Sequence, residues 1–148
     1  MFSHILIPTD GSKLAAKGIR AGVKLARALG AKVTGVYVIA PYAPPLYGEG
    51  MIYVPGTTPQ AYKAHSEKAA KRALAAVEIE AEAAGVPCSS HFVTARQPWD
   101  GILKTARSKK CDAISMASHG RGGLSGLILG SETTRVLANS KVPVIVCR

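Results

Sequence analysis

Short apolar runs alternate with long helical patterns along the chain, and this alternation restricts the fold more than any single residue does. Phe2 to Pro8 is short, apolar and closed by a turn signal, which predicts a buried strand. Asp10-Gly11-Ser12 leads into a helical pattern that lasts to Leu29. Its apolar face is Ala15, Ile19, Val23, Ala26 and Leu29, spaced by four, four, three and three. Gly30 stands where a left-handed cap residue belongs. Lys32 to Ala40 is valine-rich and predicts a second strand. Thr58-Pro59 opens a second helix that runs to Ala84, with Ala70, Leu74, Val77, Ala81 and Ala84 on one side, before Gly85 and Pro87 end it. Val86 to Val93 reads as a more polar strand. Pro98 to Lys109 reads as a helix facing inward through Trp99, Ile102, Leu103 and Ala106. Strand Cys111 to Ala117, helix Gly130 to Ser140 and strand Val142 to Cys147 complete the order βαβαβαβαβ. That order predicts a parallel sheet with helices on both faces, joined by right-handed crossovers.

The composition permits such layers to close over a core. Of 148 residues, 47% are hydrophobic and 19% charged, which excludes bulk disorder, and the length suits one domain spanning 1–148. No apolar run approaches the ~18 residues of a membrane span. The start lacks a basic segment followed by a long apolar one, so no signal peptide is expected. Cys88, Cys111 and Cys147 are odd in number, widely spaced and free of any C-x-x-C pair. This argues against a disulfide scaffold or a zinc site and for buried small hydrophobes. The expectation is a soluble cytoplasmic domain with no metal site of its own.

In an open parallel sheet, ligands bind beyond the carboxyl ends of strands where the strand order reverses. If the first strand is central and lies beside the fourth, Pro8-Thr9-Asp10-Gly11-Ser12 and the stretch from Ala117 to Gly130 frame that crevice. The second stretch, ASHGRGGLSGLILG, holds Gly120, Gly122, Gly123, Gly126 and Gly130 and runs into the helix start Gly130-Ser131-Glu132-Thr133. Glycines let main-chain N–H groups approach an anion, and a helix N-terminus adds free donors and partial positive charge. The alternative is a plain strand-to-helix connection in which Ser131 caps the helix. Three known fingerprints fail: there is no lysine for G-x-x-x-x-G-K-[ST], Ser125 breaks G-x-G-x-x-G, and Leu127 breaks G-x-S-x-G. A long Pro-rich loop, 41–59, carries Tyr42, Tyr47 and Tyr53, which would either cover a ligand or decorate a surface insertion.

The chain resembles the universal stress protein family along essentially its whole length. The carrying residues are Ile5-Leu6-Ile7-Pro8-Thr9-Asp10-Gly11-Ser12, Val36-Tyr37-Val38-Ile39, Asp112 to Gly120, Leu129-Gly130-Ser131 and Val142-Pro143-Val144-Ile145-Val146. Nucleotide-binding members carry G-x2-G-x9-G-[ST]. Here Gly120, Gly130 and Ser131 match, and Ala117 stands in place of the first glycine. The resemblance implies a single-domain open sheet of five parallel strands in the order 3-2-1-4-5 and an ATP ligand, with Mg²⁺ as an optional bridge between phosphates. It implies that Pro8, Thr9 and Asp10 lie against the nucleoside and that Val38 meets adenine through its main chain. Met116, Ala117, Ser118 and His119 would line the sugar and phosphate side, and Gly120, Gly130, Ser131 and Thr133 would hold phosphates. If the family glycine serves a positive φ or a close main-chain approach, Ala117 would weaken binding.

Several residues carry a second reading. Asp10 also suits the N-cap of the first helix, shared with Ser12. Ser118 beside His119 invites a hydrolase, but adjacent residues rarely form a working base–nucleophile pair, so loop packing or a phosphate contact is preferred. Arg121 suits a phosphate clamp or a solvated loop charge, and Trp99 an anchor for its helix. Lys13, Lys17, Arg20, Lys24 and Arg27 form a cationic stripe in a chain with 19 Lys and Arg against 9 Asp and Glu. A solvated face is preferred there over nucleic-acid binding, because no aromatics interleave. The aliphatic strand 142–147 would form a sheet edge. Edges of this kind are normally blocked or paired, and pairing with a second copy is expected; the resemblance also implies a homodimer. The expected role is therefore a nucleotide-linked stress-response regulator with no dedicated catalytic residue. The alternatives are a slow metal-dependent ATP hydrolase and a dimeric signalling module that binds no nucleotide.

Overall fold

The computed structural model describes residues 1–44, 58–119 and 129–148. The elements are β1 (His4–Pro8), α1 (Lys13–Leu29), β2 (Lys32–Ile39), α2 (Pro59–Ala83), β3 (Cys88–Thr94), α3 (Pro98–Ser108), β4 (Ala113–Ala117), α4 (Ser131–Asn139) and β5 (Val144–Cys147). The strands form one sheet, parallel as the alternation of elements predicts and in the order β3-β2-β1-β4-β5 that the family resemblance implies. Four strand starts shift inward by two residues, β1 from Phe2 to His4 and β4 from Cys111 to Ala113 among them. β3 begins at Cys88 rather than Val86, and Val86 is buried at the turn into it. β5 begins at Val144 because Pro143 has no N–H for the ladder and Val142 N donates instead to Ser140 Oγ at 3.2 Å.

Side-chain alternation on the central strand divides the core in two. Ile5 and Ile7 point to the α1–α2 side, where they join Ile19, Val23, Val77 and Ala81. Leu6 points to the α3–α4 side with Val36, Ile102, Ile114 and Val136. All three β1 side chains are 0% exposed, so polar substitution at any of them would strand an unpaired group in the interior. The ends of the predicted apolar faces lie at the core margin: Leu29, Ala84, Trp99 and Leu103 are only partly buried. One cysteine expectation fails. Cys111 is buried and Cys147 intermediate, but Cys88 opens an edge strand and is exposed.

Local chemistry explains the helix boundaries. Ser12 Oγ accepts from Ala15 N at 3.1 Å and caps α1, while Gly30 ends it at φ 65°. Asp10 does not share that cap: its carboxylate accepts from Ser12 N at 2.9 Å, two residues on, and folds the loop ahead of the helix. Thr58 Oγ1 caps α2 through Ala61 N at 3.1 Å. At the amino ends of the strands, Asp112 accepts from Ser3 N, Ser3 Oγ and His4 N at 2.8, 2.7 and 2.9 Å, tying the start of β1 to the entry of β4. Buried His4 places Nε2 2.7 Å from Thr34 Oγ1, which in turn lies 3.0 Å from Ser89 Oγ.

α1 presses directly on β4. A Cβ on Gly18 would stand 2.7 Å from the main-chain nitrogen of Ala117, so only glycine permits this approach.

Candidate functional site

β1 and β4 pair at Ile5↔Ala113 and Leu6↔Ile114, and both strands continue beyond this pairing. On its other side β1 stays with β2 through Pro8↔Val36, after which Thr9 N donates to the Val36 carbonyl at 3.0 Å. A cleft therefore opens at the carboxyl ends of the central strands, at the reversal of strand order. It encloses about 500 Å³, within the range of small-molecule sites. Buried Val36, Met116 and Ile102 supply apolar lining, and Thr9, Asp10, His119, Ser131, Glu132 and Thr133 supply polar groups.

Ten of the twelve residues named from the sequence line this cavity: Pro8, Thr9, Asp10, Val38, Met116, Ala117, His119, Gly130, Ser131 and Thr133. Ser118 does not line it. Its side chain is buried, its N donates to the Cys147 carbonyl at 2.8 Å, and its Oγ lies 3.0 Å from His119 Nδ1. The serine–histidine pair does form, with only the histidine in the cavity lining. Gly120 and Arg121 lie outside the described residues, as do Tyr47 and Tyr53. Tyr42 packs on Tyr62 of α2, with ring centroids 5.5 Å apart, and does not line the cavity.

The start of α4 is the cavity's polar wall. Its N-cap is Gly130, which supplies no side-chain acceptor for the first-turn amides; Ser131 is the first helical residue and not the cap. Gly130 N donates to the Ser118 carbonyl at 2.9 Å and fixes the entry of the helix. The Thr133 hydroxyl donates to the Ala117 carbonyl at 3.2 Å, which leaves that residue's first-turn main-chain N–H as its donor for a ligand. A helix start of this kind suits an anion.

Ala117 ends β4 and has no positive φ; Lys110 is the one non-glycine residue with positive φ among the described residues. Alanine therefore costs nothing in backbone conformation here. All it adds to the family glycine is one methyl group.

Sequence reasoning missed Ala15, Val36, Tyr37, Pro98, Ile102 and Glu132. Val36 was detectable, since it lies two residues from Val38 and shares its face. Glu132 was not. Its carboxylate reaches across to accept from Trp99 N at 2.8 Å, supplying α3 with the cap that Gln97 does not give. Arg135 adds a bond to Gln97 Oε1 at 3.0 Å and lies 3.7 Å from Glu132. Among the described residues no three His, Cys, Asp or Glu side chains gather into a metal site, and no helix is long and apolar enough to cross a membrane.

The model of the universal stress protein family matches residues 1–148. A Thermus aquaticus protein, "Universal stress protein in QAH/OAS sulfhydrylase 3'region", is 32% identical with all of both chains covered. Universal stress protein MJ0531 of Methanocaldococcus jannaschii is 29% identical over all of this chain and 83% of its own length. Among solved structures, universal stress protein UspA from Lactobacillus plantarum superposes with a TM-score of 0.79 at 21% identity, over 99% of this chain and 98% of that one. A universal stress protein in complex with cAMP gives a TM-score of 0.69 at 20% identity, over 99% and 97% of the two chains. One from Archaeoglobus fulgidus in complex with dAMP gives 0.64 at 19% identity, over 100% and 98%. With the family match along its whole length and the same sheet order in its fold, this chain belongs to the universal stress protein family.

Proposed function

We propose that this protein binds an adenine nucleotide, with ATP as the leading candidate, in the cavity between β1 and β4, and that it acts as a nucleotide-linked regulator of the stress response. The observation that carries this reading is the start of α4, which enters the cavity with no side-chain cap among the described residues. Gly130, Ser131 and Thr133 would hold phosphate through main-chain donors, and Ser131 through its hydroxyl, with Gly120 completing the cradle. Pro8, Thr9, Asp10, Met116, Ala117 and His119 would enclose the nucleoside, with Ser118 supporting His119 from beneath.

Val38 has the right main-chain groups for adenine. Val36 turns its carbonyl toward Thr9, and two residues later the N–H and carbonyl of Val38 face the same way, beyond the end of β1. A donor and an acceptor side by side match the edge of an adenine ring. The solved relatives with cAMP and dAMP agree with an adenine ligand. Mg²⁺, where ATP brings it, would be held by the ligand's phosphates rather than by a protein cage. We further place the protein in the cytoplasm as a homodimer paired along 142–147, since β5 is a half-buried aliphatic strand with β4 as its one neighbour in the sheet.

Thermal denaturation with and without Mg-ATP tests the reading. At a ligand concentration of about 100 Kd the complex gains ~2.7 kcal/mol, which raises Tm by roughly 5–11 °C for a chain of this size. An unchanged Tm at millimolar ATP, ADP and AMP, with no nucleotide carried through purification, would reject it.

A further inference from the structure

The nucleotide cavity leaves one large feature without a role. Lys13, Lys17, Arg20, Lys24 and Arg27 are all exposed on the outward face of α1. The helix contains no acid, and none of the five joins an ion pair among the described residues, where the pairs are Lys104–Asp100 and Arg135–Glu132. Cations three and four residues apart on one helix face repel each other, so the free protein carries this stripe at a cost in stability. At its amino end the stripe runs into a recess of about 500 Å³ between α1 and α2. Arg72 of α2 adds a further cation there, beside Thr9 and Ser12.

The character of the face narrows the partner. From Lys13 to Arg27 it spans about 21 Å at the helical rise. Ala21 between the cations and Ala28 just beyond Arg27 are both exposed and too small to hold a rigid surface away. The missing aromatics, which favour a solvated face on sequence grounds, exclude a protein hot spot and the stacking of unpaired bases but not a duplex backbone, which needs charge alone. The face's one exposed large hydrophobic is Leu14, too little for insertion into a lipid interface. What remains is charge of one sign, evenly spaced along a line, which complements a rod of regularly spaced phosphates.

We propose that the outward face of α1, with the Arg72 recess, docks the sugar–phosphate backbone of a nucleic-acid duplex without reading its sequence. Each cation stands over the backbone and releases a condensed counterion on contact. The site lies on the other side of the Thr9–Ser12 loop from the nucleotide cavity and stands whether or not that cavity binds nucleotide.

Fluorescence anisotropy with a labelled DNA duplex of arbitrary sequence, about 20 bp long, measures this directly. With six contacts, the five of α1 and Arg72, log K against log salt should have a slope near −5.4, so affinity should fall about 1,800-fold between 50 mM and 200 mM salt. Lys17→Ala with Lys24→Ala should reduce the slope by about 1.8, leaving a loss of about 150-fold over the same range. Lys104→Ala with Arg107→Ala removes the same charge from α3, on the opposite face of the sheet, and should leave the slope unchanged. If either pair lowers Tm, the glutamine versions replace it. The proposal is overturned if no binding occurs at 50 mM salt or if both pairs weaken binding equally. It is also overturned if polyglutamate at matched charge displaces the duplex, or if vesicles of anionic lipid bind more tightly than the duplex does.

Discussion

Gly18→Ala should destabilise the protein even though alanine is the better helix former. Gly18 lies inside α1, where the exchange alone would add about 1 kcal/mol through helix propensity. The new methyl group, however, would stand 2.7 Å from the main-chain nitrogen of Ala117 and 3.2 Å from the carbonyl carbon of Met116. Those atoms belong to a strand hydrogen-bonded into the sheet and have no rotamer to escape into. Overpacking of a tight interior contact costs about 1–3 kcal/mol, and a backbone obstacle belongs in the upper part of that range. The net loss is then about 1–2 kcal/mol. Unfolding entropy scales with chain length, and for 148 residues this loss lowers Tm by about 3–6 °C. Differential scanning calorimetry at neutral pH gives the answer. Nucleotide affinity should fall as well, since Ala117 lies in the cavity wall and is the residue pushed. A Tm that rises in Gly18→Ala would show that the helix can lift from β4 at no cost, and the close-contact argument would fail.

Three further outcomes follow from the same geometry. Glu132→Ala removes the acceptor for Trp99 N and should cost about 1–2 kcal/mol by thermal melts, while Glu132→Gln, which keeps an acceptor oxygen, should lose less than half of that. Burial holds the His4 imidazole below its ordinary value of 6.5, helped by the nearby Lys32 charge and opposed by Asp112. The unfolded chain therefore takes up a proton first, so stability is complete above pH 6.5 and declines as pH falls toward the folded-state value; His4→Gln should flatten that decline in a Tm series. Ala117→Gly should tighten nucleotide binding, measured by calorimetric titration, while lowering stability by about 0.5–1 kcal/mol through added chain entropy; unchanged affinity would show that the methyl group is no obstacle.

The parts of this fold that repeat within one element could be read directly from the sequence. The spacing of Ile19, Val23 and Ala26 gave the buried side of α1, and the run Ile5-Leu6-Ile7 gave a strand covered on both faces. Ends were legible only to within two residues, because Pro143 and Val86 end or begin a ladder according to what their neighbours pair with. Contacts between distant elements left no local pattern. Glu132 and Trp99 are 33 residues apart, and nothing around either shows that one caps the other. The exposure of Cys88 depends on the edge position of β3, which only the assembled sheet reveals. The family resemblance puts Ser118 in the site, but just past the end of β4 its buried side chain bonds to His119 and does not line the cavity.

The borrowed acceptor at the head of α3 has a mechanical meaning. A helix that finishes its opening turn with another helix's carboxylate cannot swing alone. Moving either helix start without the other stretches the Trp99–Glu132 bond, so the two starts share whatever disturbs that carboxylate. Arg135 and Gln97 add an exposed second link between the same two helices.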